Sequence, residues 1–122
     1  MNPLPEIAER LIEHYGERLS ETPALAHDAL TARFDNGLVL ELRFAGADEY
    51  SLRWHHNGQT RAIDTAPLHP GLATFPNHLH DADGSARPDP LTRPGAAPWD
   101  NVRAVLGRIL DDSLLQEPAR RA

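Results

Sequence analysis

Residues 38–44, which read LVLELRF, decide the fold because apolar side chains alternate with other residues along this stretch. A β-strand points successive side chains to opposite faces. One face of the predicted strand is therefore apolar and consists of Leu38, Leu40, Leu42 and Phe44. The opposite face carries Glu41 and Arg43. One dry face and one wetter face are typical of an antiparallel sheet that is covered on one side.

Turn signals on both sides of this strand predict further strands. Asn36-Gly37 precedes it and Asn57-Gly58 follows it, and both pairs tolerate the positive φ that a tight hairpin needs. The alternating segments form a predicted four-stranded antiparallel meander of residues 29–34, 38–44, 49–56 and 59–64. A short strand near 77–80 would be the fifth. Turns at this spacing leave no room for the crossover helices of a parallel sheet.

Helical periodicity flanks the sheet at both ends of the chain. Apolar residues recur at helical spacing over residues 4–19 and again over residues 98–115. An apolar stripe needs a partner, so each helix is predicted to pack against the sheet. The sequence thus predicts a single α+β domain over residues 1–115, followed by a frayed tail over residues 116–122.

Composition limits the classes of function. The chain has 122 residues, which suits one domain, and it has no cysteine, which excludes disulfides, thiolate metal sites and thiol nucleophiles. A net charge of −6 is not the footprint of a non-specific nucleic-acid binder, although a local basic patch remains compatible with it. No long apolar run and no secretory signal are visible, so a cytoplasmic protein without membrane contact is expected.

Histidines are concentrated in the middle of the chain. Of seven histidines, five fall between positions 55 and 80: His55, His56, His69, His78 and His80. The strongest local signal is FPNHLH at residues 75–80. If this segment is extended, His78 and His80 project to the same face. Two imidazoles on one face can share acid–base work, form half of a metal site, or serve only as structural side chains.

Several residues are candidate partners for these imidazoles. Asp64 ends a predicted strand and could orient an imidazole, and a third metal ligand could come from His69, His55 or Asp64. His55 and its neighbour His56 face opposite ways, as ordinary polar residues at a hairpin end do. Counting outward from Asn57-Gly58 places Arg61 opposite Trp54, either stacked on that ring or available for a phosphate.

Three segments resemble the TumE family of bacterial toxins: YSLRW at 50–54, RAIDTAPLHP at 61–70 and TFPNHLH at 74–80. The positions that match the family pattern are Arg61, Asp64, Ala66, Pro67, His69, Phe75, Pro76, His78 and His80. Three positions depart from it. Thr65 stands where the pattern has Asn, and Leu68 and Asn77 stand where it has His.

The resemblance implies a toxin of a toxin–antitoxin system, with an antitoxin partner and with RNA as its substrate. A metal-independent ribonuclease would use acid–base chemistry and no cofactor, and its candidate catalytic residues are His69, His78, His80, Arg61 and Asp64. A first alternative is a metal-dependent hydrolase in which His69, His78 and His80 hold a divalent ion such as zinc. A second is a non-enzymatic protein-binding module. An exposed edge strand would serve a homodimer or a partner.

Overall fold

The computed structural model describes residues 2–111, which form two helices and seven strands. In chain order the elements are α1 (Leu4–Tyr15), β1 (Ala24–Ala26), β2 (Ala29–Arg33), β3 (Val39–Gly46), β4 (Glu49–His56), β5 (Gln59–Asp64), β6 (His78–His80), β7 (Ala86–Pro88) and α2 (Pro98–Asp111). A short 3₁₀ turn, Gly16–Arg18, follows α1. The predicted tail at 116–122 lies outside the described residues. No described helix is long and apolar enough to cross a membrane.

All seven strands pair antiparallel in one sheet, in the order in which they occur in the chain. The α+β class with a helix near each end is confirmed, and β6 is the expected fifth strand. The predicted strand number was wrong, because β1 and β7 extend the sheet at its two edges. Each of these strands has only three residues and neither buries a side chain, so neither produces an alternating apolar pattern.

The register of the β4–β5 hairpin is the predicted one. His56 pairs with Gln59, Trp54 with Arg61 and Leu52 with Ile63. The two turn residues, Asn57 and Gly58, have φ values of 52° and 77°, as a two-residue turn of this kind requires. Since a slip of one residue would reverse every side chain, this register decides which residues of β5 face the core.

The hydrophobic core lies between the two helices and one face of the sheet. The fully buried residues of α1 and α2 pack on those of the sheet and on Leu38, which precedes β3. The largest fully buried side chains are Trp54, Leu4, Ile7, Leu11, Leu30, Leu38, Leu40, Leu42, Leu52, Ile63, Leu106 and Ile109. Burying a leucine side chain stabilises the fold by roughly 2 kcal/mol. We call this face of the sheet the helix face. We call the other face the open face, because no helix among residues 2–111 packs on it.

The first helix is shorter than predicted. It ends at Tyr15 instead of residue 19, and the chain then turns through the 3₁₀ segment. Leu19 has extended backbone and makes an isolated antiparallel bridge with Phe34. Its apolar side chain therefore packs on the core from the edge of the sheet, a position that helical spacing alone did not distinguish from a further helical turn.

A buried carboxylate holds the proline-rich segment that follows β5, residues 65–98. Asp89 is 5% exposed, and its Oδ1 accepts the backbone amides of Leu91 and Thr92 at 2.8 and 3.0 Å. Its Oδ2 accepts Nδ2 of the buried Asn77 at 2.8 Å and the hydroxyl of Thr92. Because buried charges need such partners, this network fixes the chain on both sides of β6. It also gives Asn77, one of the three departures from the family pattern, a structural role.

Candidate functional site

Three polar side chains converge on the open face where β5 meets β6. Asp64 is the last residue of β5 and pairs with His78, and Ala62 pairs with His80. Because side chains alternate along a strand, Asp64, His78 and His80 share one face, whereas Ile63 and Leu79 between them are buried in the core. We call these three residues the histidine–carboxylate cluster.

The side-chain atoms of the cluster are within contact distance of one another. The Nε2 atom of His80 lies 2.9 Å from Oδ2 of Asp64, and Nε2 of His78 lies 3.3 Å from Oδ1 of the same carboxylate. The two Nε2 atoms are 2.9 Å apart. Each imidazole therefore turns the same ring nitrogen toward one point, and the carboxylate contributes both of its oxygens.

Backbone contacts fix the orientation of two cluster members. His78 is 1% exposed, and its Nδ1 lies 3.1 Å from the carbonyl oxygen of Pro76. A carbonyl can only accept, so Nδ1 of His78 carries the proton in this hydrogen bond, and in the neutral ring Nε2 carries a lone pair. Asp64 Oδ1 also accepts the backbone amide of Ala66 at 3.0 Å, which orients the carboxylate. The long segment between β5 and β6 thus organises the site.

His69 lies beside the cluster and does not share its point of convergence. Its ring packs edge-on against His78 with centroids 4.8 Å apart, and its centroid is 6.4 Å from that of His80. Among the described residues, the atoms that could hold one ion within 4.8 Å of one another belong to Asp64, His78 and His80. Of the three candidates for a third ligand, His69, His55 and Asp64, it is Asp64 whose side chain lies with those of His78 and His80.

Arg61 is on the other face of the sheet from the cluster. It is 5% exposed and lies opposite Trp54, and its Nε donates to Oδ1 of Asp81 at 2.9 Å. Burial raises the pKa of Asp81, but hydrogen bonds from the Ala82 amide and from Arg61, with the charges of Arg61 and Arg87, outweigh it and leave the pKa below its usual value. Arg61 therefore supports a structural ion pair.

The open face offers a different arginine, which the sequence analysis did not nominate. Arg53 pairs with Ala62, which in turn pairs with His80, so the three side chains form one row across β4, β5 and β6. Arg53 is exposed, and it lines a cavity of about 200 Å³ with Asp64, His80 and the largely buried Arg61. The signal was present in the sequence, because the predicted hairpin register already placed residues 53 and 62 opposite each other.

The two histidines before the Asn57-Gly58 turn are separate from the cluster. His55 contacts the hydroxyl of Thr60 at 2.8 Å and the carboxylate of Glu41 at 3.5 Å. Nε2 of His56 lies 3.3 Å from the carbonyl oxygen of Asn36. These contacts agree with their interpretation as polar residues at a hairpin end.

Together, the fold and the cluster define a small α+β protein that carries two imidazoles and a carboxylate on an open sheet face. The model of the family described as "Toxin TumE" matches residues 4–113, and the chain belongs to this family. The predicted family is therefore confirmed. Membership implies a toxin-like function and suggests an antitoxin partner. Comparison with curated proteins finds no match, and comparison with solved structures finds none either.

Proposed function

We propose that this toxin arrests growth by cleaving RNA at the histidine–carboxylate cluster, by acid–base chemistry that needs no metal. The observation that carries the proposal is the contact between Asp64 and the half-exposed His80, on an open face that also holds a second imidazole and an arginine. A carboxylate that accepts an imidazole N–H orients the ring and stabilises it when it gains a proton.

RNA can act as its own nucleophile, so the protein has few tasks. The 2′-oxygen attacks the neighbouring phosphorus, the bond from phosphorus to the 5′-oxygen breaks, and a 2′,3′-cyclic phosphate forms. A base must take the proton from the 2′-hydroxyl, and an acid must give one to the departing 5′-oxygen. A cation stabilises the charge that develops on the phosphate oxygens.

His80 is the proposed base. Its side chain is 39% exposed, so a substrate can reach it. If its Nε2–H donates to Oδ2 of Asp64 at 2.9 Å, its Nδ1 carries the lone pair that accepts the proton. Asp64 and the buried His78 are then positioning residues, since both contact Nε2 of His80 and leave its other nitrogen free for substrate.

His69 and Arg53 are the proposed acid and cation. The centroid of the His69 ring is 6.4 Å from that of His80, so both imidazoles can contact one phosphate group bound beside them. A protonated His69 would donate to the 5′-oxygen and then regain its proton from water. Arg53 takes the role of phosphate-binding cation that the sequence suggested for Arg61, because its exposed guanidinium lies on the side of the sheet that carries the cluster.

The test combines RNA cleavage with growth arrest. Purified wild-type chain, kept in a chelator, should cut RNA and leave 2′,3′-cyclic phosphate ends, and it should not cut an oligonucleotide that has a 2′-deoxy sugar at the mapped site. His80→Ala should lower the cleavage rate by roughly 100-fold or more and relieve growth arrest. His55→Ala is the matched control, because His55 is also a partly exposed histidine on the open face and lies outside the cluster.

The opposite results would reject the proposal. If folded His80→Ala cut RNA and arrested growth as the wild type does, the cluster would not be the active site. If wild-type chain arrested growth without cutting any RNA, the non-enzymatic protein-binding alternative would be favoured.

A further inference from the structure

The histidine–carboxylate cluster has more lone pairs than protons. The Nδ1–H group of His78 donates a hydrogen bond to the carbonyl oxygen of Pro76, so in the neutral ring Nε2 has only a lone pair. That lone pair faces Oδ1 of Asp64 at 3.3 Å and Nε2 of His80 at 2.9 Å. Only one N–H, on His80, remains for two nitrogens and two carboxylate oxygens. Two acceptors in contact at a nearly fully buried nitrogen repel each other unless a proton or a metal ion lies between them.

The distances among these atoms are close to those of a metal coordination shell. Imidazole nitrogens and carboxylate oxygens bind zinc at about 2.0–2.2 Å, so two ligands of a tetrahedral ion lie roughly 3.3–3.5 Å apart. The three contacts of the cluster measure 2.9, 2.9 and 3.3 Å. Movements of a few tenths of an ångström, mainly of the half-exposed His80, would complete the shell.

The surroundings of the cluster also suit a metal site. Metal-bound histidines commonly donate their second N–H to a carbonyl or carboxylate, as His78 does to Pro76. The carboxylate of Asp64 is held in the same way by the amide of Ala66. Two nitrogens and one carboxylate favour zinc-like ions over calcium or magnesium, which prefer oxygen ligands.

We infer that the cluster binds one divalent transition-metal ion through Nε2 of His78, Nε2 of His80 and the carboxylate of Asp64, and that the ion blocks RNA cleavage. The blocking rests on the proposed function, whereas the binding does not. The fourth coordination position would face the open side of the sheet, where His80 and Asp64 are partly exposed.

Blocking follows from the tautomer of His80. The proposed base needs its proton on Nε2 and its lone pair on Nδ1, but a metal ligand needs the lone pair on Nε2. A bound ion would move the proton to Nδ1 and would also occupy Asp64, which orients the base. One imidazole cannot be ligand and base at once, so metal-loaded toxin would be inactive and chelation would activate it.

Cobalt(II) provides a binding test that is independent of activity. Metal-free wild-type chain should take up one equivalent of Co²⁺ with visible d–d absorption, and Zn²⁺ should displace it. Loss of a ligand in His80→Ala or Asp64→Asn should weaken binding by roughly 100-fold or more. His55→Ala and His69→Ala should bind as the wild type does, because neither residue belongs to the converging set. Thermal unfolding of each variant checks that it folds.

The outcomes separate the metal site from the proposed ribonuclease. Absence of stoichiometric binding, or binding that survives both ligand substitutions in folded protein, would overturn the site. Zinc that stimulates RNA cleavage would overturn the blocking and favour the metal-dependent hydrolase. If the Co²⁺ spectrum and its loss in the variants appear while neither metal-free nor loaded protein cuts RNA, the site stands and the proposed function fails.

Discussion

The two faces of the sheet use the same strands for different purposes. On the helix face, Trp54 and Ile63 are almost completely buried under α1 and α2, and the buried Arg61 forms an ion pair with Asp81. On the open face, the neighbouring residues Arg53 and Asp64 stay accessible and lie beside paired histidines. Adjacent positions in the sequence therefore differ completely in environment. Substitutions at neighbouring residues should separate stability from activity, and each prediction below tests that separation.

The largest expected effect is on the helix face. Trp54→Ala removes a 1% exposed ring from the middle of the core and should lower the free energy of unfolding by about 3–5 kcal/mol. Arg53→Ala, one residue away on the open face, should change it by no more than about 0.5 kcal/mol. Urea denaturation measures both values. Equal destabilisation by the two variants would mean that the faces are not distinct in energy.

The two arginines provide a sharper comparison. Arg61→Ala should lower the free energy of unfolding by about 2 kcal/mol. This is less than the loss expected from breaking a fully buried ion pair, because Asp81 is 26% exposed and still pairs with Arg87, whose Nε lies 2.9 Å from Oδ2 of Asp81. The folded fraction of this variant should still cut RNA. Arg53→Gln should show the reverse, with normal stability and a cleavage rate roughly 100-fold lower. Denaturation curves and RNA cleavage rates per folded molecule should be measured on both variants. A stability loss in Arg53→Gln and a cleavage loss in Arg61→Ala would contradict the assigned roles.

The smallest expected effect concerns a phenol at the edge of the core. Burial raises the pKa of Tyr50 to about 12, and its hydroxyl donates to Thr92 Oγ1 at 2.7 Å. In the unfolded chain this phenol ionises near pH 10, so its contribution to stability is complete below about pH 10 and is lost as the pH rises toward 12.

Tyr50→Phe tests this contribution. The substitution should cost about 1 kcal/mol at neutral pH for the lost hydrogen bond. It should also flatten the fall in stability between about pH 10 and 12, and cleavage at neutral pH should be unchanged. Denaturation midpoints across that alkaline range measure the effect. If stability fell as steeply in the variant as in the wild type, the alkaline loss of stability would come from another group.

The sequence was informative where local rules determine geometry. The Asn57-Gly58 turn fixed the register of β4 with β5, and alternation fixed the apolar face of β3. The edges of the sheet were not predictable in this way. Three-residue strands carry no period, and their pairing depends on neighbours that form only in the folded chain.

The candidate site was predictable in part for the same reason. The shared face of His78 and His80 follows from strand geometry, but the third member of the cluster does not. Choosing between His69, His55 and Asp64 requires the register of β5 with β6, which a 13-residue connection separates. The role of Asn77 was equally hidden, since its partner Asp89 lies beyond β6 in the chain.

The sequential strand order has a consequence for how the chain comes together during synthesis. Each strand pairs with its neighbour in sequence, so most long-range order is built from short chain closures, which favour rapid folding. Asp64, His78 and His80 all precede α2, whose Val102, Val105 and Leu106 complete the core. The ribosome therefore synthesises all three residues of the histidine–carboxylate cluster before it synthesises α2, the helix that packs on the opposite face of the sheet.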